Sequence, residues 1–287
     1  MSTQNNSEKP QDTGHEWDGI RELTNPPPRW WMITLHLSWI FCLIYFVLYP
    51  SIPLVNDSTK GLLGWTQIKE FKEAVAENDA IKAPYLEKLK SMSAAEIQAD
   101  PELANFAVSA AKAVYGDNCA ACHGTGGEGA ENLFPALADD NWLYGGDLET
   151  ITETITDGRM GNMPAHDWLE DAQINQLTDF VLALPEGKAS EKGWALFDES
   201  GCTGCHGADA KGGALNGDNY SGAANLTDRI WRFSSSREDV LRTIRYGVNQ
   251  EGVDQTRSAI MPAFGEKLSS EQIKMLAIKI HGMGGGQ

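Results

Sequence analysis

CAACH at residues 119–123 and CTGCH at residues 202–206 share one pattern, in which a histidine directly follows two cysteines three positions apart. On one helical turn, two thiols at this spacing can add to the two vinyl groups of a heme, and the histidine can then reach the iron. This pattern is typical of c-type heme attachment. The sequence therefore predicts two covalently bound c hemes, the first held by Cys119 and Cys122 with His123 on iron, and the second by Cys202 and Cys205 with His206 on iron.

Other chemistries also use a Cys-x-x-Cys pair. One pair alone could be a redox-active dithiol, and the two pairs together could form a Cys₄ zinc site. Neither alternative explains the histidine after each pair or the repeat described next. The fifth cysteine, Cys42, makes the count odd, which fits poorly with a simple disulfide framework.

The chain from residue 103 onward consists of two similar units, 103–187 and 188–287. Each unit has a helical stretch before its cysteine pair, a glycine-rich loop after it, and an amphipathic helix at its end. Neither unit shows a strand pattern, so the sequence predicts an all-α fold of two small domains. Taken with the heme attachment pattern in each unit, we expect two tandem class I cytochrome c domains. The gapless part of the repeat aligns Trp142, Ile151, Ile155 and Gly158 with Trp231, Val240, Ile244 and Gly247.

A methionine followed by proline lies late in each unit, as Met163-Pro164 and Met261-Pro262. Cytochromes c use methionine opposite histidine on the iron. We therefore predict Met163 as the second iron ligand in the first unit and Met261 in the second. Met160 is the rival to Met163, and a packing role remains open for each methionine. The other alternative is a second histidine, His166 or His281.

The second ring nitrogen of an iron-bound histidine usually donates to a carbonyl group. Pro135 lies at a suitable spacing after His123 to offer its C=O. The matching position in the second unit is Ala224, where a backbone carbonyl can serve although the proline is missing.

Trp30–Tyr49 contains no charged residue and would span about 30 Å as a helix, which is the thickness of a bilayer core. Aromatic residues near both ends and prolines on both sides favour one transmembrane helix over 30–50. Covalent heme attachment takes place outside the cytoplasm. We therefore place 1–29, whose first 19 residues are polar and expected to be disordered, in the cytoplasm. Within the span, we expect His36 to hydrogen-bond a neighbouring helix and Cys42 to act as a small apolar residue.

Residues 51–102 contain no heme motif and are predicted to be a helical spacer. Ile68, Phe71 and Val75 recur at helical spacing and indicate a short amphipathic helix. Ser93 with Glu96 predicts a capping box at the start of another helix. Ser269 with Gln272 predicts a second box before the last helix of the chain.

The net charge of −17 argues against nucleic-acid binding and favours basic protein partners. The charge is uneven: residues 103–187 carry two Lys/Arg against fourteen Asp/Glu, a net charge of −12, whereas residues 188–287 carry twelve of each. This acidity favours docking of a basic electron donor on the first domain. A generic acidic surface that maintains solubility explains it equally well.

Together these motifs resemble the diheme c-type subunit of cbb3-type cytochrome c oxidases. NPPPRWW at 25–31 is similar to that family's entry into the membrane, and several later strings are similar to family strings. The second unit departs from the family in having Arg-Phe-Ser-Ser at 232–235, where Leu-Tyr-Gly-Gly is usual, and in lacking a proline before NLTD. The later strings are DDNWLYGG at 139–146, GRMGNMPAH at 158–166, NLTDRIW at 225–231 and DQTRSAIMPAFG at 254–265.

The resemblance implies a subunit in the bacterial inner membrane with its heme domains in the periplasm. It would pass electrons from a soluble cytochrome c toward an oxygen-reducing heme–copper subunit, beside a monoheme cytochrome c subunit. It would have no catalytic site of its own. The alternatives are a membrane-tethered diheme carrier for another redox complex, and a diheme enzyme such as a peroxidase. An oxidase subunit would co-purify with b-type heme and copper, and an enzyme would need an iron with a displaceable ligand.

Overall fold

A computed structural model describes residues 12–130, 133–139, 141–212, 214–216, 219–220 and 222–284. The described residues are mostly helical, as predicted. The chain divides into two compact units, residues 1–81 and 82–287, and each is described by itself below.

The first unit begins with an antiparallel hairpin of β1 (Asp12–Trp17) and β2 (Ile20–Leu23). Asp18 and Gly19 form its turn with φ values of 48° and 83°, and an Asp-Gly pair is a strong signal for such a two-residue hairpin turn. The expectation of disorder is therefore wrong for residues 12–19, because it weighed polarity and overlooked turn chemistry. Residues 1–11 lie outside the described residues.

Helix α1 (Arg29–Leu48) follows and agrees closely with the predicted span. An 18-residue window of this 20-residue helix has a mean hydropathy of 2.0, and none of the helix's side chains is buried within the protein, so the helix is long and apolar enough to cross a membrane. The Nδ1 atom of His36 lies 2.6 Å from the carbonyl oxygen of Met32, one turn earlier. This hydrogen bond lies within α1, and the expected bond of His36 to a neighbouring helix stays a prediction.

The chain then folds back on the end of α1. The amides of Leu62 and Leu63 donate to the carbonyls of Val47 and Leu48, at 2.9 and 3.1 Å, and so satisfy acceptors that the helix end leaves free. Gly61 allows this approach with a φ of 64°, because a Cβ atom there would collide with the carbonyl of Leu48.

Helix α2 (Gln67–Ser91) begins at the predicted place but runs for 25 residues and passes through Pro84. The apolar side chains that indicated it stay largely exposed, Ile68 at 69% and Phe71 at 67%. The sequence therefore predicted this helix correctly but underestimated its length.

The second unit contains the two repeats. Both predicted capping boxes are confirmed, Ser93 with Glu96 and Ser269 with Gln272. The helices and strands of the first repeat and the segment before it are α3 (Ala94–Ala99), α4 (Pro101–Asn118), α5 (Ala120–His123), α6 (Leu148–Asp157), β3 (Arg159–Met160) and α7 (Asp171–Ala183). Those of the second are α8 (Glu191–Glu199), α9 (Thr203–His206), β4 (Ala214–Asn216), β5 (Asn219–Tyr220), α10 (Arg237–Tyr246), β6 (Ile260–Met261) and α11 (Ser270–His281).

Two hydrophobic cores hold these helices, and each combines both repeats. In the first core, α3, α4 and α6 pack against α11, which is the closing helix of the second repeat. In the second core, α8 and α10 pack against α7, which is the closing helix of the first repeat. The closing helices are thus exchanged between the repeats.

The segments that lead into the closing helices cross in the same way. Strand β3 pairs antiparallel with β6, so that Arg159 lies opposite Met261, and the backbone of Met163 pairs with that of Val248. Gly158 ends α6 against the carbonyl of Met261, and Gly247 ends α10 against the carbonyl of Met163. A Cβ atom at either glycine would collide with that carbonyl.

Neither core is built from one repeat alone, because the closing helix in each core comes from the other repeat. The domain bounds 103–187 and 188–287 and the iron ligand of each heme stay predictions. A short turn over residues 184–190 joins α7 to α8, and packing two helices that are close in sequence costs little loop entropy. The exchange is tolerated because both closing helices present the same apolar spacing. Ile174, Leu177, Thr178 and Val181 correspond to Ile273, Leu276, Ala277 and Ile280.

Because the closing helices are swapped between the repeats, a cavity made in one closing helix should destabilise the helices of the other repeat. Leu276 is 0% exposed in the first core and Leu177 is 1% exposed in the second, so either Leu→Ala change should cost about 2–5 kcal/mol. Leu276→Ala should speed amide hydrogen exchange in α4 and α6, and Leu177→Ala should speed it in α8 and α10. Each variant is the control for the other. If Leu276→Ala speeds amide hydrogen exchange more in α10 than in α4, α11 does not pack in the first core and the swap of closing helices is contradicted.

Candidate heme-binding site

Each Cys-x-x-Cys-His stretch forms one short helical turn. Cys119 ends α4, and its carbonyl accepts hydrogen bonds from the amides of Cys122 and His123, at 3.1 and 2.9 Å. The carbonyl of Cys202 accepts from Cys205 and His206 in the same way, at 3.2 and 2.9 Å. Both turns therefore have the geometry that the attachment pattern requires.

The ring orientation of each histidine is set by a backbone carbonyl. The Nδ1 atom of His123 lies 3.0 Å from the carbonyl oxygen of Pro135, and that of His206 lies 2.9 Å from the carbonyl oxygen of Ala224. Both partners are those predicted from the sequence. When Nδ1 carries the hydrogen that the carbonyl accepts, Nε2 is left with a free lone pair for a metal.

Burial keeps these histidines neutral. It lowers the pKa of His123, against the opposing effect of the Pro135 carbonyl, and the positive charge of Arg232 lowers it further. Burial also lowers the pKa of His206, where the Ala224 carbonyl again opposes it. A neutral imidazole is the form that binds iron.

The first thiol of each pair is also neutral. Burial raises the pKa of Cys119, and burial raises that of Cys202 to about 11. A redox-active dithiol needs a thiol with a lowered pKa, so the environment does not favour that alternative. Within the described residues, no group of three or more Cys, His, Asp or Glu side chains is arranged to hold a metal ion, which argues against the Cys₄ zinc site.

Both attachment turns line one cavity of about 640 Å³. The structure places Met261 on the same core as Cys119 and Met163 on the same core as Cys202. The rest of the wall is mainly aromatic and aliphatic, and includes Phe134, Leu137, Trp142, Tyr144, Ile151, Leu226, Trp231 and Phe233.

The rival ligands are placed differently. Met160 is 67% exposed and does not line the cavity. His281 also lies off the cavity wall, where its Nδ1 atom is 3.2 Å from the side-chain nitrogen of Gln98. His166 does line the cavity, and it is buried with no hydrogen-bond partner at Nδ1. His166 is therefore the alternative to Met163 that an experiment has to test.

Two arginines on the cavity wall were not singled out from the sequence as site residues. Arg159 lies over the ring of Tyr144, 5.0 Å from its centroid, and forms a 2.7 Å ion pair with Glu153. Arg232 donates to the carbonyl of Leu133 at 3.4 Å. Arg232 could have been recognised from the sequence, because the matching position in the first repeat is the uncharged Leu143.

The cavity and its donors fit heme. Two thiols, an imidazole with a free Nε2 and a thioether sulfur meet an apolar wall in each half of the cavity, and the arginines supply positive charge for carboxylates. The fold and site define the class of the protein as a c-type cytochrome.

Comparisons with known proteins identify the family. The family model described as "Cytochrome C oxidase, cbb3-type, subunit III" matches residues 106–181 and again 188–278, and "N-terminal domain of cytochrome oxidase-cbb3, FixP" matches residues 9–56. The chain therefore belongs to the subunit III family of cbb3-type cytochrome c oxidases.

Several curated relatives match the chain over nearly its whole length. The subunit FixP of Azorhizobium caulinodans is 38% identical, over 97% of this chain and 94% of the relative. The subunit CcoP of Azospirillum brasilense is 37% identical, over 96% of both chains, and that of Cereibacter sphaeroides is 34% identical, over 97% and 96%. Each is named as a cbb3-type cytochrome c oxidase subunit.

The pairing of ligands across the repeats can be tested by exchanging each methionine. Met261→His should lower the midpoint potential of the heme at Cys119 and keep it low-spin, because thioether ligation raises the potential relative to imidazole. Met163→His should do the same to the heme at Cys202. Redox titration in a Cys205→Ala background separates the two, because the second heme then keeps a vinyl group and absorbs at longer wavelength.

The controls for this titration are Met160→Leu, which should change neither heme, and His166→Leu. An effect of Met261→His on the heme at Cys202 would contradict the crossed pairing. Loss of low-spin character with His166→Leu but not with Met163→Leu would show that His166 is the ligand.

Proposed function

We propose that this chain is the diheme electron-transfer subunit of a cbb3-type cytochrome c oxidase. Two c hemes are bound, one by Cys119, Cys122, His123 and Met261 and the other by Cys202, Cys205, His206 and Met163. The observation that carries this proposal is the presence of both attachment turns, both methionines and both carbonyl-oriented histidines on the wall of one cavity.

The bound hemes supply one-electron chemistry, and the chain provides the conditions for it. The thioether links hold each cofactor in place, and the carbonyls of Pro135 and Ala224 keep the imidazoles from rotating. Methionine ligation favours the reduced iron. The apolar wall excludes water and leaves few polar groups to reorient when the charge changes. Both sets of ligands line one cavity, so the chain would hold both hemes within one largely apolar enclosure.

The place of the chain in the cell follows from α1 and the hemes. A helix that can cross a bilayer precedes the two repeats. Heme attachment outside the cytoplasm requires the second unit to lie in the periplasm, with residues 1–29 on the cytoplasmic side of the bacterial inner membrane. The partners would be the catalytic heme–copper subunit and the monoheme cytochrome c subunit. Each iron would be held by one histidine and one methionine, and we propose that oxygen reduction takes place in another subunit.

The number of hemes is open to direct measurement. The mature chain should carry the added mass of two hemes in intact-protein mass spectrometry. Cys122→Ala and Cys205→Ala should each leave one thioether and weaken retention of one heme only. Cys42→Ala, in α1, is the matched control and should retain both. An added mass of one heme or none on the unaltered chain would refute the diheme function.

The electron donor is proposed to be a basic soluble cytochrome c. The segment 103–187 carries most of the net negative charge of the chain. Within this segment, Asp147 and Glu149 are exposed at the start of α6. Long-range attraction of this kind raises the association rate and is screened beyond about 8–10 Å at physiological salt.

Electron entry should slow steeply as ionic strength rises. Neutralising Asp139, Asp147 and Glu149, together with Asp140 outside the described residues, should flatten that dependence in stopped-flow reduction by a basic cytochrome c. Asp147 should be changed to Asn, because its side chain caps α6 by accepting from Thr150 at 2.9 Å and Asn caps equally well.

The matched control for this series neutralises three acidic residues of the second repeat and should have smaller effects. A rate that is indifferent to salt, or equal effects from both sets, would contradict docking on the acidic residues of the first repeat. The control residues are Glu191, Asp198 and Glu199.

A further inference from the structure

Arg232 is a cation on the cavity wall whose position in the repeat is unusual. It directly follows Trp231, where the first repeat has Leu143 after Trp142. Its side chain is half-buried and lines the cavity. A cofactor that fills the cavity would cover most of the surface that Arg232 still exposes, so the charge would become buried once the cofactor is bound.

The positive charge of Arg232 lacks a carboxylate partner among the described residues. The other arginines near the cavity are paired, Arg159 with Glu153 at 2.7 Å and Arg257 with Asp239. The one hydrogen bond described for Arg232 is long, 3.4 Å from Nη2 to the carbonyl oxygen of Leu133. Burial lowers the pKa of Arg232, as expected for a cation removed from water without a counter-charge.

The neighbours of Arg232 belong to the first heme site although Arg232 itself belongs to the second repeat. Leu133 lies two residues before Pro135, whose carbonyl orients His123. A ligand that pairs with Arg232 therefore lies at the first site.

We propose that Arg232 binds a propionate carboxylate of the heme held by Cys119 and Cys122. This inference rests on the proposed function, because it requires a heme at the first site. Heme carries two propionates, and a guanidinium can hold a carboxylate through two parallel hydrogen bonds. Such a pair would satisfy the buried cation, whose burial without a partner is costly. The second repeat thus contributes to the first heme both an axial methionine and a cation.

A cation near the heme stabilises the reduced state, in which the iron carries one positive charge less. Removing Arg232 should therefore lower the midpoint potential of the first heme. The corresponding residue Leu143 brings no charge to the second heme. Arg232 would in this way give the two hemes different midpoint potentials although the two repeats are similar.

The experiment compares three variants of the full-length chain, purified in detergent with its hemes. Arg232→Leu installs the residue of the first repeat and removes the charge. Arg232→Lys keeps the charge but loses the planar fork. Arg229→Leu is the matched control, because it removes one arginine from an exposed position in the same loop. Each variant is titrated in the Cys205→Ala background, which resolves the first heme, and the propionate bending mode is followed by resonance Raman.

With Arg232→Leu, the ratio of oxidised to reduced first heme at a fixed potential should rise about tenfold, equivalent to ~59 mV for one electron. The propionate mode of that heme should shift as well. Arg232→Lys keeps the charge, so it should lower the midpoint potential by less than half as much as Arg232→Leu does, but it should still shift the propionate mode. Arg229→Leu should change neither the potential nor the mode.

Two results would overturn the proposal. One is an Arg232→Leu chain with both hemes attached and the same potentials and Raman spectrum as the Arg229→Leu chain. The other is a lowered potential with an unchanged propionate mode, which would mean that Arg232 pairs with a carboxylate of the protein. The heme mass of the unaltered chain tests the proposed function separately, so failure of one does not imply failure of the other.

Discussion

Helix α11 packs against α4, and this contact connects the end of the chain to the turn that carries the first cysteine pair. Ala107 and Ala111 are fully buried on α4, and small side chains there allow the two helices to approach closely. At the end of α4, Tyr115 donates from its hydroxyl to the carbonyl of Gly124 at 2.9 Å, which holds the start of the following loop. The first site therefore keeps its shape only while α11 is in place.

The crossed packing also brings the loops of the two repeats together at the cavity. Asn141 of the first repeat donates to Asp228 of the second at 2.8 Å. Burial raises the pKa of Asp228, and the nearby charge of Asp139 raises it further. Asp139 and Asp228 occupy matching positions in the two repeats, so the repeats approach each other through equivalent residues. A change of charge at one site would be felt at the other through this shared, poorly hydrated region.

Much of the site could be predicted from the sequence because its motifs are local. The attachment turns span five residues each, the carbonyl partners of the histidines lie within 18 residues, and each capping box spans four. The hairpin turn at Asp18-Gly19 is equally local and was missed because the polar composition of the segment was given more weight.

The exchange of closing helices could not be predicted from periodicity. Leu177 and Leu276 occupy the same position of the same pattern, so either helix satisfies either core and the sequence pattern leaves the choice open. Arg232 of the second repeat donates to the carbonyl of Leu133 in the first repeat, a contact between residues 99 positions apart that the sequence could not show.

The distance along the chain between α4 and α11 affects how the protein is made. More than 150 residues separate the two helices, which is a high contact order and a slow route to a closed core. The helices of the second core, α7, α8 and α10, all precede α11 in the chain, so they are made before the first core can be completed. The first cysteine pair is made earliest and its core is closed last. A chain that stops short of α11 would therefore lack part of the upstream core while it still contains every helix of the downstream one.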